Sequence, residues 1–329
     1  MVCLVPGRSV FVFAVIAAGS GGTVDLDWQE KYWAGMRGLQ EGRYVDARAA
    51  LQSAYDAAQQ LPASDPWKAR AAFGLGSFAL SRGNIAWAER LHNDARIMLE
   101  GQGEASPLLA MVWNGLGEIF MEQSRLEEAE DVIGKALSVF GRDPKLSGCA
   151  FLSRRRLAEI RVMRQDYAGA EQMLQALLAD ERQAPAASDV ELPATLRIMG
   201  HLYIMQNRLA EAEPLLREAM TLQLARNQNL AAADTMVTLS GLYRLEGRLE
   251  RAAPLLRKAV KCYEQAGDPH AVSAYVELAR CAAAEKKYLT ARNLLQKAID
   301  MARKGPMSDV LIARFEQDLA SIMPEFASK

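Results

Sequence analysis

The sequence predicts an all-α fold, a right-handed α-solenoid of about seven antiparallel helix pairs with a C-terminal capping helix. Two observations predict it. Half of the 329 residues are hydrophobic, and Ala and Leu carry most of that fraction. These residues favour helix because Ala loses no side-chain entropy in a helix and Leu loses little. A turn signal followed by an alanine also recurs with a period of roughly 41 residues, and a fixed period of this length is typical of repeat architectures.

The recurring signal is a short polar or glycine-containing turn that ends in an apolar anchor residue. The seven anchors are Tyr44, Ile85, Leu126, Tyr167, Leu209, Leu249 and Tyr288. An alanine follows each anchor three positions later, at Ala47, Ala88, Ala129, Ala170, Ala212, Ala252 and Ala291. Such a turn joins two antiparallel helices, and the alanine lies where their backbones approach most closely. Seven positions beyond each alanine comes a second small or apolar residue on the same helix face, which predicts the side that packs on the next unit.

The first helix of a unit has its own pattern, clearest in the third unit. There Trp113, Leu116, Gly117 and Phe120 precede Ala129. This W-x-x-L-G-x-x-F spacing resembles the tetratricopeptide repeat. The period exceeds the usual length of about 34 residues, and together with the segments at 211–219 and 251–259 it is similar to the lengthened repeats of kinesin light chains. The resemblance implies a helical scaffold that binds a protein or a peptide.

The fourth unit departs from this pattern, since Arg154 and Arg161 stand at its two aromatic positions. Helix breakers divide the predicted solenoid, residues 25–306, into units at about 28–62, 66–103, 107–143, 147–184, 190–228, 230–268 and 270–305. Residues 307–329 are predicted to form the capping helix and a tail, with Ser308 or Asp309 as the N-cap. A solenoid needs such a terminal helix to cover its last apolar edge.

Residues 1–24 differ from the rest of the chain. Arg8 precedes a short apolar run at 10–18, and glycine and serine follow it, a pattern typical of a signal peptide. The run is too short to span a bilayer. A disordered tail or a wrongly assigned start codon fits the segment as well. The prediction is therefore an exported or periplasmic protein if the segment is a signal peptide, and a cytoplasmic protein otherwise.

The composition argues against several classes of function. A net charge of −1 provides no basic field for nucleic acid. The four cysteines form no CxxC pair, and the three histidines share no metal-ligand spacing, so neither a metal site nor a disulfide framework is predicted. No catalytic constellation is visible. The sequence therefore predicts a protein that is not an enzyme, with no cofactor and no integral membrane span, whose partner is a protein or an extended peptide.

In a helical solenoid the first helices of the units line a concave surface. The candidate groove residues on these helices are Trp33, Asn114, Glu118, Arg155, Glu159, Arg197, His201, Arg244, Glu277 and Arg280. A ladder of arginines suits an acidic peptide or a free carboxylate, because the guanidinium binds carboxylates bidentately. The alternative is that the arginines only offset the glutamates of the same set and pair with them across the groove.

Three functions fit this prediction. The first is an adaptor that recruits a partner through the concave face. The second is a regulatory repeat protein whose superhelix changes pitch when a short signalling peptide binds. The third is a structural protein that associates with itself. A repeat scaffold does not by itself determine its partner or its oligomeric state.

Overall fold

The structure is a computed structural model that describes residues 27–62, 64–101, 106–183, 191–304, 312–313 and 315–317. Between Asp27 and Lys304 the described residues form fourteen α-helices and one short 3-10 helix at Pro144–Leu146. The α-helices are α1 (Asp27–Gln40), α2 (Tyr44–Ala58), α3 (Pro66–Ser81), α4 (Ile85–Glu100), α5 (Pro107–Glu122), α6 (Leu126–Phe140), α7 (Ser147–Met163), α8 (Tyr167–Gln183), α9 (Glu191–Met205), α10 (Leu209–Ala225), α11 (Asn229–Leu245), α12 (Leu249–Ala266), α13 (Ala271–Ala284) and α14 (Tyr288–Lys304).

The predicted helix-pair fold is confirmed. All seven second helices, the even-numbered ones, begin at the seven anchor residues of the sequence pattern. Each alanine three positions into these helices is completely buried, from Ala47 in α2 to Ala291 in α14. The alanine is buried because the first helix of the same pair crosses at this point, so a larger side chain would need space that the packing does not leave.

The turn before each second helix has one backbone conformation in all seven pairs. The residue two positions before the anchor has a positive φ, between 60° and 75° in every case, at Gly42, Gly83, Ser124, Gln165, Asn207, Gly247 and Lys286. Glycine adopts this left-handed conformation without steric cost, whereas Ser124, Gln165 and Lys286 adopt it against a steric penalty. The repeat therefore requires the turn geometry even where the sequence does not supply its preferred residue.

The small residue of the first helix allows the two helices of a pair to approach. A Cβ added at Gly117 would lie 2.3 Å from Cγ1 of Ile133 on α6, and one at Gly200 would lie 2.7 Å from Cγ of Leu216 on α10. Real Cβ atoms do not approach other carbons so closely. These contacts explain why the tetratricopeptide-like pattern has glycine at this position.

The chain divides into two compact bodies, and the division falls within α9: one body ends at Ile198 and the other begins at Met199. In the first body the helices from α1 to α8 pack in sequence, and α1, α3, α5 and α7 also contact one another as a row of first helices. In the second body α10 to α14 pack in sequence, and α11 contacts α13. We call the row of first helices in the first body, α1, α3, α5, α7 and the α9 residues 191–198, the first-helix face.

The arginines of the fourth unit pair with carboxylates in place of aromatic packing. Arg154 forms an ion pair of 2.6 Å with Asp180 on α8, and Arg161 forms one of 2.6 Å with Asp166 in the turn. Both pairs are partly exposed to solvent. The departure from the repeat pattern is thus accommodated at the surface of the pair, while Ala158 at the small position remains buried.

Two predicted segments lie largely outside the described residues. The predicted signal peptide or tail, 1–24, falls entirely outside them. Of the predicted capping segment at 307–329, the described residues are 312–313 and 315–317, which are helical. Phe315 is buried, and Glu316 pairs with Arg303 of α14 at 2.6 Å.

Candidate functional site

Three successive first helices carry polar side chains at equivalent positions. Asn114 on α5, Arg155 on α7 and Arg197 on α9 each lie twelve residues before the anchor of their own repeat. Four positions later, on the same helix face, come Glu118 on α5 and Glu159 on α7. All five were predicted as groove residues, and all five lie in the first body.

The structure surrounds these five residues with three further charged side chains. We call the complete set the polar cluster; it consists of Asn114, Glu118, Arg155, Arg156, Glu159, Glu181, Glu191 and Arg197. Its three arginines are only 2%, 2% and 3% exposed. Arginine is almost never fully buried unless it is paired, so the partners of these side chains decide what the cluster can do.

Arg155 and Arg156 are paired within the protein. Arg155 donates a hydrogen bond from Nη1 to Oε2 of Glu191, which is itself buried. Arg156 donates from Nη2 to Oε2 of Glu118 and from Nη1 to the carbonyl of Asn114. Burial lowers the pKa of Arg155, but the nearby carboxylates outweigh burial and hold that pKa above its ordinary value. These two arginines therefore have carboxylate partners of their own.

Arg197 differs from them. Its Nη2 is buried and has no hydrogen-bond partner among the described residues. Glu159 acts on it electrostatically from α7. Burial raises the pKa of Glu159 although Arg155, Arg197 and Arg156 all lower it. The polar cluster thus contains Arg197, whose Nη2 has no hydrogen-bond partner among the described residues. It also contains Glu159, whose charged form is disfavoured by burial.

Glu181 of α8 contributes a further buried carboxyl group to the polar cluster. Its Oε1 accepts a hydrogen bond of 2.9 Å from the hydroxyl of Thr195 on α9, while its Oε2 is buried without a hydrogen-bond partner among the described residues. Burial raises the pKa of Glu181 to about 7, against the charge of Arg155 and the Thr195 hydrogen bond. A group with this pKa changes its charge near neutral pH.

Asn114 is fixed by Ser153 of α7. Its Nδ2 donates a hydrogen bond of 2.9 Å to Oγ of Ser153, which also lies 3.1 Å from the carbonyl oxygen of Cys149. A small cavity beside these residues has Asn114, Cys149 and Glu191 in its lining. The predicted groove asparagine is consequently held in place by the neighbouring repeat.

In the second body, the structure brings three other predicted residues together. Glu277 of α13 pairs with Arg280 on the same helix at 2.5 Å and with Nε of Arg244 on α11 at 3.4 Å. For these residues the observed contacts are those of the alternative interpretation, in which the arginines pair with glutamates of the same candidate set. His201 also belongs to the second body, where it is 5% exposed.

Trp33, the remaining predicted residue, lies in an aromatic group at the start of the first-helix face. Its ring meets the ring of Tyr32 edge to face at a centroid distance of 5.0 Å, and that of Trp67 on α3 at 6.4 Å. The guanidinium of Arg70 lies over Trp67 at 4.8 Å and over Trp33 at 5.7 Å. Trp33 is half-buried and is not among the residues of the polar cluster.

Two members of the polar cluster, Glu181 near the end of α8 and Glu191 at the start of α9, were not among the residues predicted from the sequence. Glu191 lies 36 residues from its partner Arg155, and Glu181 lies 14 residues from Thr195. Both glutamates occur near helix ends, where charged residues are common for other reasons. The available signal was the run of adjacent arginines Arg154, Arg155 and Arg156 on one first helix, because arginines that become buried need carboxylate partners in the adjacent repeats.

Comparisons with known proteins bear on the family. Two family models described as tetratricopeptide repeat match the chain, one at residues 67–145 and the other at residues 230–304. Both matched segments consist of the helix pairs whose turns and alanines are described above. The chain is a tetratricopeptide-repeat protein.

Solved structures resemble this tetratricopeptide-repeat protein over most of its length. NprR in complex with its cognate peptide NprX has a TM-score of 0.67 at 14% identity, and the match covers 92% of this chain and 90% of NprR. A Rap protein complexed with competence and sporulation factor has a TM-score of 0.65 at 15% identity, covering 94% of this chain and 89% of the Rap protein. A tetratricopeptide-repeat protein from Parabacteroides merdae has a TM-score of 0.52 at 16% identity, covering 91% and 100%. At such identities the likeness concerns the fold.

A search of curated proteins found no match to the chain. The family and its solved neighbours describe a repeat scaffold of the kind that binds proteins or peptides, and tetratricopeptide repeats are in general non-catalytic. Among the helices of the described residues, none is long and apolar enough to cross a membrane. Cys149 and Cys281 are buried free thiols and Cys262 is a half-buried one.

Proposed function

We propose that this tetratricopeptide-repeat protein is a non-catalytic scaffold that binds an extended peptide, or an extended segment of a partner protein, along its first-helix face. Arg197 is the residue that we expect to receive a carboxylate of this ligand. The proposal rests on one observation, the buried Nη2 of Arg197 without a hydrogen-bond partner among the described residues.

An unsatisfied buried donor is costly. A buried polar group without a partner lowers stability by about 1–3 kcal/mol, and more when it is charged. A ligand oxygen that accepts a hydrogen bond from Nη2 would remove this cost, so the free protein is predisposed to bind an acceptor there. A carboxylate is the best-matched acceptor, since its charge and its planar geometry complement the guanidinium.

The paired arginines support the same assignment. Arg155 and Arg156 hydrogen-bond to Glu191 and Glu118, so they do not present an unneutralised arginine ladder to a ligand. Their role in the proposal is to hold α5, α7 and α9 in register around Arg197. This arrangement favours a ligand with an acidic residue at one position over a ligand with a run of acidic residues.

The test is a binding measurement with a short peptide selected from a random display library on the immobilised protein. Arg197→Gln is expected to weaken binding of that peptide by about tenfold or more, since a hydrogen bond to a charged group contributes about 1.5–3 kcal/mol. Arg164→Gln is the matched control, because Arg164 is a partly exposed arginine on the same body that pairs with Glu130 at 2.5 Å. Equal affinity of wild type and Arg197→Gln, with helicity retained, would show that Arg197 does not bind the ligand.

A second candidate is a regulatory protein that responds to a signalling peptide. The observation that favours it is that two of the solved neighbours, NprR and the Rap protein, are complexes with NprX and with competence and sporulation factor. A regulator is expected to change its radius of gyration in small-angle scattering when the selected peptide binds, whereas a passive adaptor keeps it unchanged.

A further inference from the structure

We propose that His92 on α4 makes the interface between the second and third repeats sensitive to acid, so that this interface is closed while the His92 ring is neutral and opens when the ring takes up a proton from the solvent. The inference goes beyond the proposed function, because it depends neither on a ligand nor on Arg197. It assigns a role to a completely buried histidine that lies outside the polar cluster.

His92 stands at a position where every other repeat has an aliphatic side chain. It lies seven residues after the anchor Ile85, and it is completely buried. The equivalent residues of the other repeats are at most 1% exposed and are Leu51, Ile133, Leu174, Leu216, Leu256 and Leu295. Packing at this position therefore does not require an imidazole, and the titratable ring is specific to the second repeat.

The imidazole fills a slot between glycines on two successive first helices. A Cβ added at Gly76 of α3 would lie 2.6 Å from Nδ1 of His92, and one at Gly115 of α5 would lie 2.5 Å from Cδ2 of the same ring. The ring of Phe73 on α3 meets the imidazole edge to face at a centroid distance of 5.4 Å. His92 is thus enclosed between the first helix of its own repeat and the first helix of the next repeat.

The hydrogen bonding of the ring fixes its neutral form. Nδ1 lies 2.9 Å from the carbonyl oxygen of Ala88, and Nδ1 carries the proton because a carbonyl oxygen only accepts. Nε2 is buried and has no hydrogen-bond partner among the described residues. A second proton would make Nε2 a buried donor on a charged ring, and the burial of a charge without a partner is costly.

The electrostatic surroundings also oppose a second proton. The charged group that acts on His92 is Arg156 of α7, and the residues that enclose the ring from α3 and α5 are uncharged. Burial lowers the pKa of His92 to about 4, and Arg156 lowers it as well, although the hydrogen bond to Ala88 raises it. A histidine exposed to solvent has a pKa of about 6.5, so the open interface binds the proton at a higher pH than the closed one.

The closed interface is consequently favoured above about pH 6.5 and loses stability as the pH falls towards about 4. Between about pH 7 and about pH 5 the two pKa values predict a rise of about 20-fold in the equilibrium constant for opening. A repeat contacts mainly its neighbours, so one interface can open while the others stay closed. Because α3 and α5 are in contact at this interface, acid would separate them and divide the first-helix face.

The experiment is hydrogen–deuterium exchange of the full chain at about pH 7 and about pH 5, with the rates corrected for the intrinsic effect of pH. In the wild type, α4 and α5 are expected to lose about 20-fold in protection relative to α12 and α13 of the second body. His92→Leu introduces the side chain of the equivalent positions and should abolish this loss. Other titrating groups, such as Glu181, are the same in both proteins, so the difference between them reports on His92.

His270→Gln is the matched control. His270 is a partly exposed histidine of the second body that pairs with Asp268 at 2.7 Å, and its replacement should leave the loss of protection in α4 and α5 unchanged.

Three results would overturn the inference. They are equal protection of α4 and α5 at both pH values in the wild type, a uniform loss across both bodies, and a loss in α4 and α5 that persists in a folded His92→Leu variant. The first two are read from the wild type and decide the matter even if the variant does not fold. The proposed peptide binding is independent of each of them.

Discussion

Arg155 on α7 donates a hydrogen bond to Glu191 on α9, 36 residues further along the chain, and neither residue is more than 2% exposed. The pair joins the first helix of one repeat to the first helix of the next. A buried ion pair adds little net stability, because desolvation offsets its attraction, but removal of one partner leaves an uncompensated charge. The pair therefore helps to align the two adjacent repeats. The stability of the protein depends on the presence of both residues, because either one alone would be a buried, uncompensated charge.

This relationship gives the first prediction. Arg155→Met should lower the free energy of unfolding by about 3–5 kcal/mol, because Glu191 then remains buried without its partner. Replacing both residues by Met should recover much of the loss. Arg164→Met removes an exposed pair between repeats and should cost less than about 1 kcal/mol. Urea denaturation followed by circular dichroism measures all of these values, and equal costs for Arg155→Met and Arg164→Met would contradict the prediction.

The second prediction concerns pH. The pKa of Glu181 is about 7 in the folded protein and about 4.3 for an unfolded chain. The folded state therefore binds more protons between these values, so the stability that Glu181 contributes is present at low pH and is lost as the pH rises through about 7. The loss is of the order of 2–3 kcal/mol between about pH 4.5 and about pH 8.

Glu181→Gln tests this dependence, since Gln resembles the protonated form at every pH. The variant should be more stable than the wild type at about pH 8 and should show a flatter profile of unfolding free energy against pH. A profile as steep as that of the wild type would show that Glu181 does not titrate in this range.

The third prediction tests the close crossing of α5 and α6. Gly117→Ala places a methyl group against Ile133 and should destabilise the protein by about 1–3 kcal/mol. Gly134 on α6 is the control, because a Cβ there meets nothing within 4 Å. Gly134→Ala should instead stabilise the protein by about 0.5–1 kcal/mol, since alanine is the better helix residue. If both variants were stabilised, the crossing would be looser than the structure indicates.

The fourth prediction concerns the turns between the helices of a pair. Gln165 has a φ of 63°, a conformation that costs a side-chain-bearing residue about 1–2 kcal/mol. Gln165→Gly should therefore raise the melting temperature, although the greater entropy of glycine in the unfolded chain reduces the gain to about 1 kcal/mol or less. Gln172→Gly, at an exposed position inside α8, should lower stability by about 1 kcal/mol. A lower melting temperature for Gln165→Gly would contradict the proposed turn strain.

Much of the fold could be predicted from the sequence, since every repeat carries the same local requirements. The turn before Tyr44 and the alanine after it are short-range features, and the periodic recurrence of such features fixes the register of the helices. The positive φ of Gln165 and Lys286 was not predictable from those residues alone. The positive φ is expected only because Gln165 and Lys286 occupy the same position of the repeat as Gly42, two residues before the anchor.

The site was predictable only in part. Helical spacing places Asn114, Arg155 and Arg197 at equivalent positions on α5, α7 and α9, because that placement depends on the period of the repeat. The partner of each arginine depends instead on contacts between repeats, so Glu191 could not be assigned to Arg155 from the sequence. The distinction between the paired arginines and Arg197 likewise appears only when burial and hydrogen bonding are known.

The most direct test of peptide binding on the first-helix face is hydrogen–deuterium exchange of the full chain with and without the display-selected peptide. The proposal predicts slower amide exchange in α5, α7 and residues 191–198 when the peptide is bound, with little change in the second helices α4 and α6. Protection confined to the second helices, with unchanged exchange in α5, α7 and residues 191–198, would contradict it.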